Sequence, residues 1–241
     1  MVYICNHFPV ITVDSFFDHP DSVVREAENL EYGPDPHGLW PGVRSQHLKE
    51  AHPEIYYHTM RKFLSLWYSS EEMSRINWDC DMWFQRISPP VKERKDSPLN
   101  TGWVHRDFPT ISAGVVYLTP GANSTTGTGI YTDEENLAHP LNRWSVDNGF
   151  QGSKEQVYSK SFSPADLGHL ENKKKQHDSH FKPDIIVSNR YNRLISYGSQ
   201  YAHKEQYLGS KIDNKDRLTL VFFLRDISGV DTPLLKKLRG V

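Results

Sequence analysis

Five histidines in this chain stand two residues before an acid: His19, His52, His105, His169 and His203. Imidazole and carboxylate bind divalent first-row metals, and residues i and i+2 of an extended chain leave the same face, so each triplet is a candidate half-site for a cation. With 12 histidines and 30 acids in 241 residues, one or two such triplets arise by chance. Context must therefore select among them. His19 and His52 each precede a proline at a helix entrance, where capping explains them. His169 lies in a polar stretch. That leaves His105 with Asp107 in WVHRD, and His203, which follows the strand-like RLISYGSQ. Glu205, two residues beyond His203, competes as a ligand.

A charge on an apolar strand is the second signal. In RLTLVFFL, Leu218, Leu220, Phe222 and Leu224 form a wholly apolar face, with Arg217, Thr219, Val221 and Phe223 on the other. An arginine on a strand otherwise buried on both faces needs an anion, because an unpaired buried charge is costly. A planar guanidinium clamps a carboxylate in two-pronged fashion, so Arg217, fourteen residues after His203, is a candidate anion-binding residue.

The elements that must hold these residues follow from periodicity. VYICNHFPVITV reads as one or two short strands. Val23, Val24, Ala27 and Leu30 recur at helical spacing behind Pro20, and Tyr56, Met60, Phe63, Leu64 and Trp67 mark a stronger helical stripe. EYGPDPHGLWPGVRS between them is turn chemistry. At Trp78 the period changes: Trp78, Cys80, Met82 and Phe84 alternate with Asp79, Asp81, Trp83 and Gln85, a strand with one apolar and one mixed face. WVHRD, SAGVVYLTP, GTGIY, DIIVSN, RLISYG, HKEQYLG and RLTLVFFL are further strand-like pieces bounded by turn residues. Residues 132–184 break the rhythm, with 13 apolar residues in 53. They read as a polar insert, part helical in SPADLGHLENKKKQ, with Ser163 as cap and Pro164 in the first turn. The Lys173–Lys175 run with His169, His177 and His180 reads as a solvated face rather than a second metal or phosphate site.

At 241 residues the chain fits one large domain carrying that insert. A net charge of −2 provides no global basic field, which argues against nucleic acid and anionic lipid while leaving a local basic groove open. Cys5 and Cys80 are too few for a disulfide scaffold, and the apolar run LTLVFFL is too short to span a membrane. The expectation is a soluble, cytoplasmic protein.

Two histidines and one carboxylate on one face of a metal, with its other positions open, form the ligand set of non-haem Fe(II) oxygenases. Taken in order, WVHRD, ISAGVVYLTP, GTGIY, NRLISYGSQYAHKEQYLG and RLTLVFFL resemble the 2-oxoglutarate/Fe(II)-dependent oxygenases of the prolyl-hydroxylase-like branch, over roughly Trp83 to Arg225 with the insert between. The resemblance implies a double-stranded β-helix, a jelly-roll or cupin-like barrel, with the helices of residues 20–30 and 54–68 behind one sheet. It implies Fe(II) on His105, Asp107 and His203, the far carboxylate of 2-oxoglutarate on Arg217, a hydrogen bond from Thr219, and a cosubstrate-binding tyrosine at Tyr117. The implied activity is O2-dependent hydroxylation, with decarboxylation of 2-oxoglutarate to succinate and CO2. Two features depart from the pattern: the spacing from His203 to Arg217 is longer than in many members, and Thr128 stands where a GGT-like turn is commoner. Trp83, Gln85 and the insert are expected to border the pocket, the insert as a mobile lid or side wall over the metal or else as a solvated excursion. The substrate stays open between a small molecule and a peptide. Two other readings also stay open: a non-catalytic β-barrel binding module, and a cupin-like metal-dependent hydrolase or isomerase.

Overall fold

The computed structural model describes residues 8–133, 135–138, 142–209, 216–233 and 236. Cys5 and the start of VYICNHFPVITV lie outside them. In chain order the elements are β1 (Ile11–Val13), α1 (Pro20–Glu28), β2 (Tyr32–Pro34), β3 (Val43–Ser45), α2 (Leu48–Ala51), α3 (Pro53–Leu64), α4 (Ser70–Met73) and β4 (Asn77–Ile87). There follow β5 (Ser112–Tyr117), β6 (Thr128–Thr132), α5 (Arg143–Asp147), α6 (Phe150–Tyr158), α7 (Leu167–Asp178), β7 (Lys182–Val187), β8 (Leu194–Gly198), β9 (Ala202–Glu205) and β10 (Arg217–Ser228). A seven-stranded sheet runs β1-β8-β5-β10-β4-β3-β2 and a three-stranded sheet β7-β6-β9, every pairing antiparallel. The fold is mainly β with supporting helices, and among the described residues neither sheet closes on itself.

The alternation along β10 decides what each face of the large sheet does. Leu218, Leu220, Phe222 and Leu224 join Met82 and Phe84 of β4 and Tyr56, Met60, Phe63 and Leu64 of α3 in the main core. Phe63 and Phe222 meet with ring centroids 4.9 Å apart, and each buried side chain of this size stabilises by roughly 1.5–3 kcal/mol. The opposite face is different. There Ala113 and Tyr117 of β5 and Ile195 and Tyr197 of β8 cluster with Ile130 and Val187 of the small sheet, so the two sheets face one another.

Local signals explain the helix starts unevenly. His52 accepts a hydrogen bond from the Ile55 amide at 3.4 Å and caps α3, whereas His19 makes no side-chain cap at α1. α7 begins at Leu167 rather than after Ser163, and Ser163 donates its amide and hydroxyl to the Asp166 carboxylate. The polar insert folds as three helices, α5 to α7, that share a core with the chain on either side of it: Phe150, Val157, Tyr158 and Leu170 pack with Val91, Leu99, Trp103 and Leu208. The lysine run is not a uniformly solvated face. Lys174 is fully buried, its ammonium 2.5 Å from Asp178, and Lys204 of β9 shares that carboxylate at 2.7 Å. His177 is likewise buried, against Trp103, Phe150 and Phe181. Among the described residues, no helix is long and apolar enough to cross a membrane.

Candidate metal centre

Backbone pairing brings the two histidines together. His203 lies in β9, opposite Ile130 of β6, and on its other side forms an isolated antiparallel bridge with His105. The His105 amide donates to the His203 carbonyl at 3.0 Å and the His203 amide to the His105 carbonyl at 2.9 Å. WVHRD is therefore not a continuous strand. Only His105 pairs, and the chain then turns, the Thr110 amide donating to the Asp107 carbonyl at 3.0 Å. That turn returns the Asp107 carboxylate to both rings: one oxygen lies 3.2 Å from His203 Nε2 and the other 3.5 Å from His105 Nε2. One ligand atom from each of the three residues falls within 4.8 Å of the others, and among the described residues no other histidine, cysteine or acid joins them. Glu205, the competing ligand, stays outside the set.

The hydrogen bonds on the far side of each ring fix what the near side offers. His105 Nδ1 sits 2.8 Å from the Trp103 carbonyl, and His203 Nδ1 3.0 Å from the Tyr201 carbonyl. A carbonyl only accepts, so each Nδ1 carries a proton and each Nε2 faces Asp107. When both rings are neutral, three acceptors converge, an arrangement that a cation stabilises, whether a metal ion or a proton. The acid–base balance shows the same pull. Burial opposes the charge on Asp107, yet the two imidazoles outweigh it and hold the carboxyl far below its usual range. Burial also opposes protonation of His203, but the adjacent carboxylate raises its pKa, whereas burial together with His203 and Lys154 lowers that of His105.

The donors open onto a cavity of about 370 Å³. Trp83 and Gln85, the mixed face of β4, line it as expected, and from the insert α6 contributes Gln151, Lys154 and Tyr158. Tyr197 lies against the His203 ring, centroids 4.3 Å apart. Arg44 of β3 completes a wall that turn chemistry alone did not reveal. Locally it has only the Trp40 of WPGVR, 4.1 Å from the guanidinium, whereas Trp83 at 5.0 Å and Phe223 at 5.3 Å come from distant strands.

Arg217, Thr219 and Tyr117 lie behind this wall rather than on it. Arg217 is 2% exposed; its Nη1 donates to the carbonyls of Thr126 at 2.5 Å and Tyr207 at 3.2 Å, and its Nε has no partner. Among the described residues no carboxylate lies within ion-pair distance of it. Burial lowers its pKa, and Glu205, Tyr117 and Tyr158 pull the other way. The Tyr117 hydroxyl donates to Thr128 Oγ1 at 2.8 Å, and Thr128 in turn lines the cavity; burial pushes the phenol up to about 12. Thr219 pairs with Tyr117 on one side and Gln85 on the other, and its hydroxyl reaches the Gln85 carbonyl only at 3.4 Å.

The three converging donors fit a divalent ion. The donor set is the mixed imidazole and carboxylate of such sites, and Arg217 holds a buried, unpartnered donor. Among solved structures, the chain resembles HygX from Streptomyces hygroscopicus, crystallised with nickel and 2-oxoglutarate, at 14% identity and a TM-score of 0.46, over 92% of this chain and 85% of that one. It also resembles an oxidoreductase of the 2OG-Fe(II) oxygenase family from Burkholderia pseudomallei at 9% identity and a TM-score of 0.45, over 92% of this chain and 86% of the other. No curated protein matches the chain. The model of a family of unknown function, DUF6445, matches residues 2–224, nearly the full length, and the chain belongs to that family.

Proposed function

We propose that this chain is an Fe(II)- and 2-oxoglutarate-dependent dioxygenase on a double-stranded β-helix, hydroxylating a small-molecule or peptide substrate and releasing succinate and CO2. The observation that carries the reading is the convergence of His105 Nε2, Asp107 and His203 Nε2, with both Nδ1 atoms committed to carbonyls. Two antiparallel sheets facing across a shared apolar cluster support the fold assignment. When bound, iron and 2-oxoglutarate supply O2 activation and the oxidation of a substrate C–H bond. His105, Asp107 and His203 would hold the ion from one side. The Trp103 and Tyr201 carbonyls orient the imidazoles, and Arg217 would supply the fixed cation for the far carboxylate of the cosubstrate. Tyr197, Trp83 and Phe223 give the cavity apolar wall, which would limit water around a bound substrate. A ferrous ion persists in a reducing compartment, so the proposal extends to a cytoplasmic setting.

The test is succinate. Protein loaded with Fe(II) anaerobically and then given O2 and 2-oxoglutarate should release succinate even without a primary substrate, and His105→Ala should not. Iron-loaded wild type that binds 2-oxoglutarate but forms no succinate would favour the binding-module reading. The hydrolase or isomerase reading draws on Glu205, a cavity-lining carboxylate whose Oε2 has no partner, and predicts that 2-oxoglutarate is neither bound nor consumed.

A further inference from the structure

The cavity contains more positive charge than the oxygenase reading uses. Of its charged lining residues, Arg106 is paired with Asp133 at 2.7 Å, Lys204 with Asp178 at 2.7 Å, and Arg225 with Asp81. Arg44 and Lys154 have no carboxylate within ion-pair distance among the described residues, and Lys154 is 8% exposed. Their elements abut. Gly38, at φ +65°, lets the loop before β3 press on the backbone of α6, where a Cβ would lie 2.3 Å from the Glu155 carbonyl.

Arg44 is built to present donors, not to be neutralised. Its guanidinium lies 4.1 Å from the Trp40 ring centroid, 5.0 Å from Trp83 and 5.3 Å from Phe223. Ring contacts on the face of a guanidinium leave its in-plane N–H groups for an acceptor. Two buried donors here have no partner, Arg44 Nε and Trp40 Nε1, and both residues line the cavity. Burial lowers the Arg44 pKa to about 10, against the pull of Asp107, Asp35, Glu205 and Asp81, so the side chain is still charged at neutral pH.

We propose that the primary substrate is a small molecule bearing one free carboxylate, and that Arg44, with Lys154 as the second cation, holds that group; this rests on the oxygenase reading above. Charge balance favours a monoanion. A divalent ion on Asp107 and a dianionic cosubstrate on Arg217 together sum to zero. Two carboxylates, Glu205 and Asp35, already act on both Arg44 and Lys154, so a carboxylate brings less uncompensated charge to this wall than a phosphate dianion. Trp83, Phe223 and Tyr197 provide apolar wall for the body of such an acid.

The test uses full-length protein loaded with Mn(II) and saturating 2-oxoglutarate, titrated calorimetrically with 3-phenylpropionate, 3-phenylpropionamide and 2-phenylethyl phosphate. Wild type should bind the carboxylate about tenfold or more tighter than the amide, as expected of a charge-assisted contact, and tighter than the phosphate. Arg44→Gln should erase that preference, Arg44→Lys should keep part of it, and Lys154→Gln, on a separate element, should reduce it. Equal binding of carboxylate and amide by wild type, binding of neither, a preference for the phosphate, or a preference that survives Arg44→Gln each overturns the proposal. 2-Oxoglutarate affinity, measured separately in the same variants, keeps the two claims apart: it should hold in Arg44→Gln and fall in Arg217→Leu. Should it fall in Arg44→Gln alone, Arg44 is the cosubstrate clamp, and both this proposal and the Arg217 assignment are overturned.

Discussion

Replacing Arg217 with leucine separates a structural arginine from a cosubstrate clamp, because the two roles move different observables. In the metal- and cosubstrate-free protein, the substitution removes the donor to the buried Thr126 carbonyl, at about 1–3 kcal/mol for a buried group left unsatisfied, and a weaker contact to the part-buried Tyr207 carbonyl. It also removes a buried cation with no carboxylate at ion-pair distance, relieving a desolvation penalty of several kcal/mol. These terms oppose and are of similar size, so the melting temperature should stay within about 5 °C of wild type. Cosubstrate binding has no such compensation. A charge-assisted hydrogen bond contributes about 1.5–3 kcal/mol, and a two-pronged carboxylate contact makes two. Some of that loss is recovered by the side chain's own desolvation, so a net loss of about 2–4 kcal/mol is expected, or about 30- to 800-fold in Kd. Anaerobic calorimetry of 2-oxoglutarate into the Mn(II)-loaded protein measures it directly, and Arg217→Lys, which keeps the charge without the fork, should fall between. A leucine variant that binds within threefold of wild type would refute the reasoning. A variant that melts far below wild type with unchanged affinity would mark Arg217 as structural.

His105→Ala and Asp107→Ala should each lose metal at micromolar iron; stoichiometric iron in either by elemental analysis removes it from the ligand set. Tyr117→Phe deletes the donor to Thr128 and should cost about 1 kcal/mol in urea unfolding; no change would mean that Thr128 finds another partner. Burial, with Lys204 sharing the Asp178 carboxylate, lowers the Lys174 pKa from 10.5 to about 7. Between those values the unfolded chain holds the extra proton, so this group makes stability rise with pH across that window. Lys174→Met should flatten the rise, and identical pH slopes in the two proteins would count against it. Hydrogen exchange should slow in α6 when Mn(II) and 2-oxoglutarate are added, since Lys154 and Tyr158 line the cavity; unchanged exchange there with slowing in β9 would make α6 a passive wall.

What was legible beforehand depended on whether the signal was local. The two faces of β10 could be read from alternation alone, because burial on a strand repeats every second residue. His105, Asp107 and His203 were legible as types and order, but not their assembly: a bridge and a turn, rather than a shared strand face, bring the carboxylate to the rings. Lys174 was misread because a triple-lysine run looks solvated, and only the distant Trp103 and Lys204 show that one of the three is enclosed. The polarity of the insert is that of a segment without a core of its own; that its apolar residues complete a cluster whose other half, Val91, Leu99 and Trp103, comes from outside it is visible only in the fold. Arg44 left little local trace, since two of the three rings around it, Trp83 and Phe223, come from strands distant in sequence.

The paired amides and carbonyls of His105 and His203 have a consequence for how the protein tolerates metal loss. Those residues stand about 100 positions apart, and a metal recruiting them from an open chain would have to close that loop itself, as ions do in domains that unfold when chelated. Here two main-chain hydrogen bonds have already closed it. On the proposed reading, an ion then adds stability to a fold already closed instead of creating it: a chelator should empty the centre while leaving its scaffold standing. Occupancy would then report metal supply rather than the integrity of the chain, and an emptied molecule should refill without refolding.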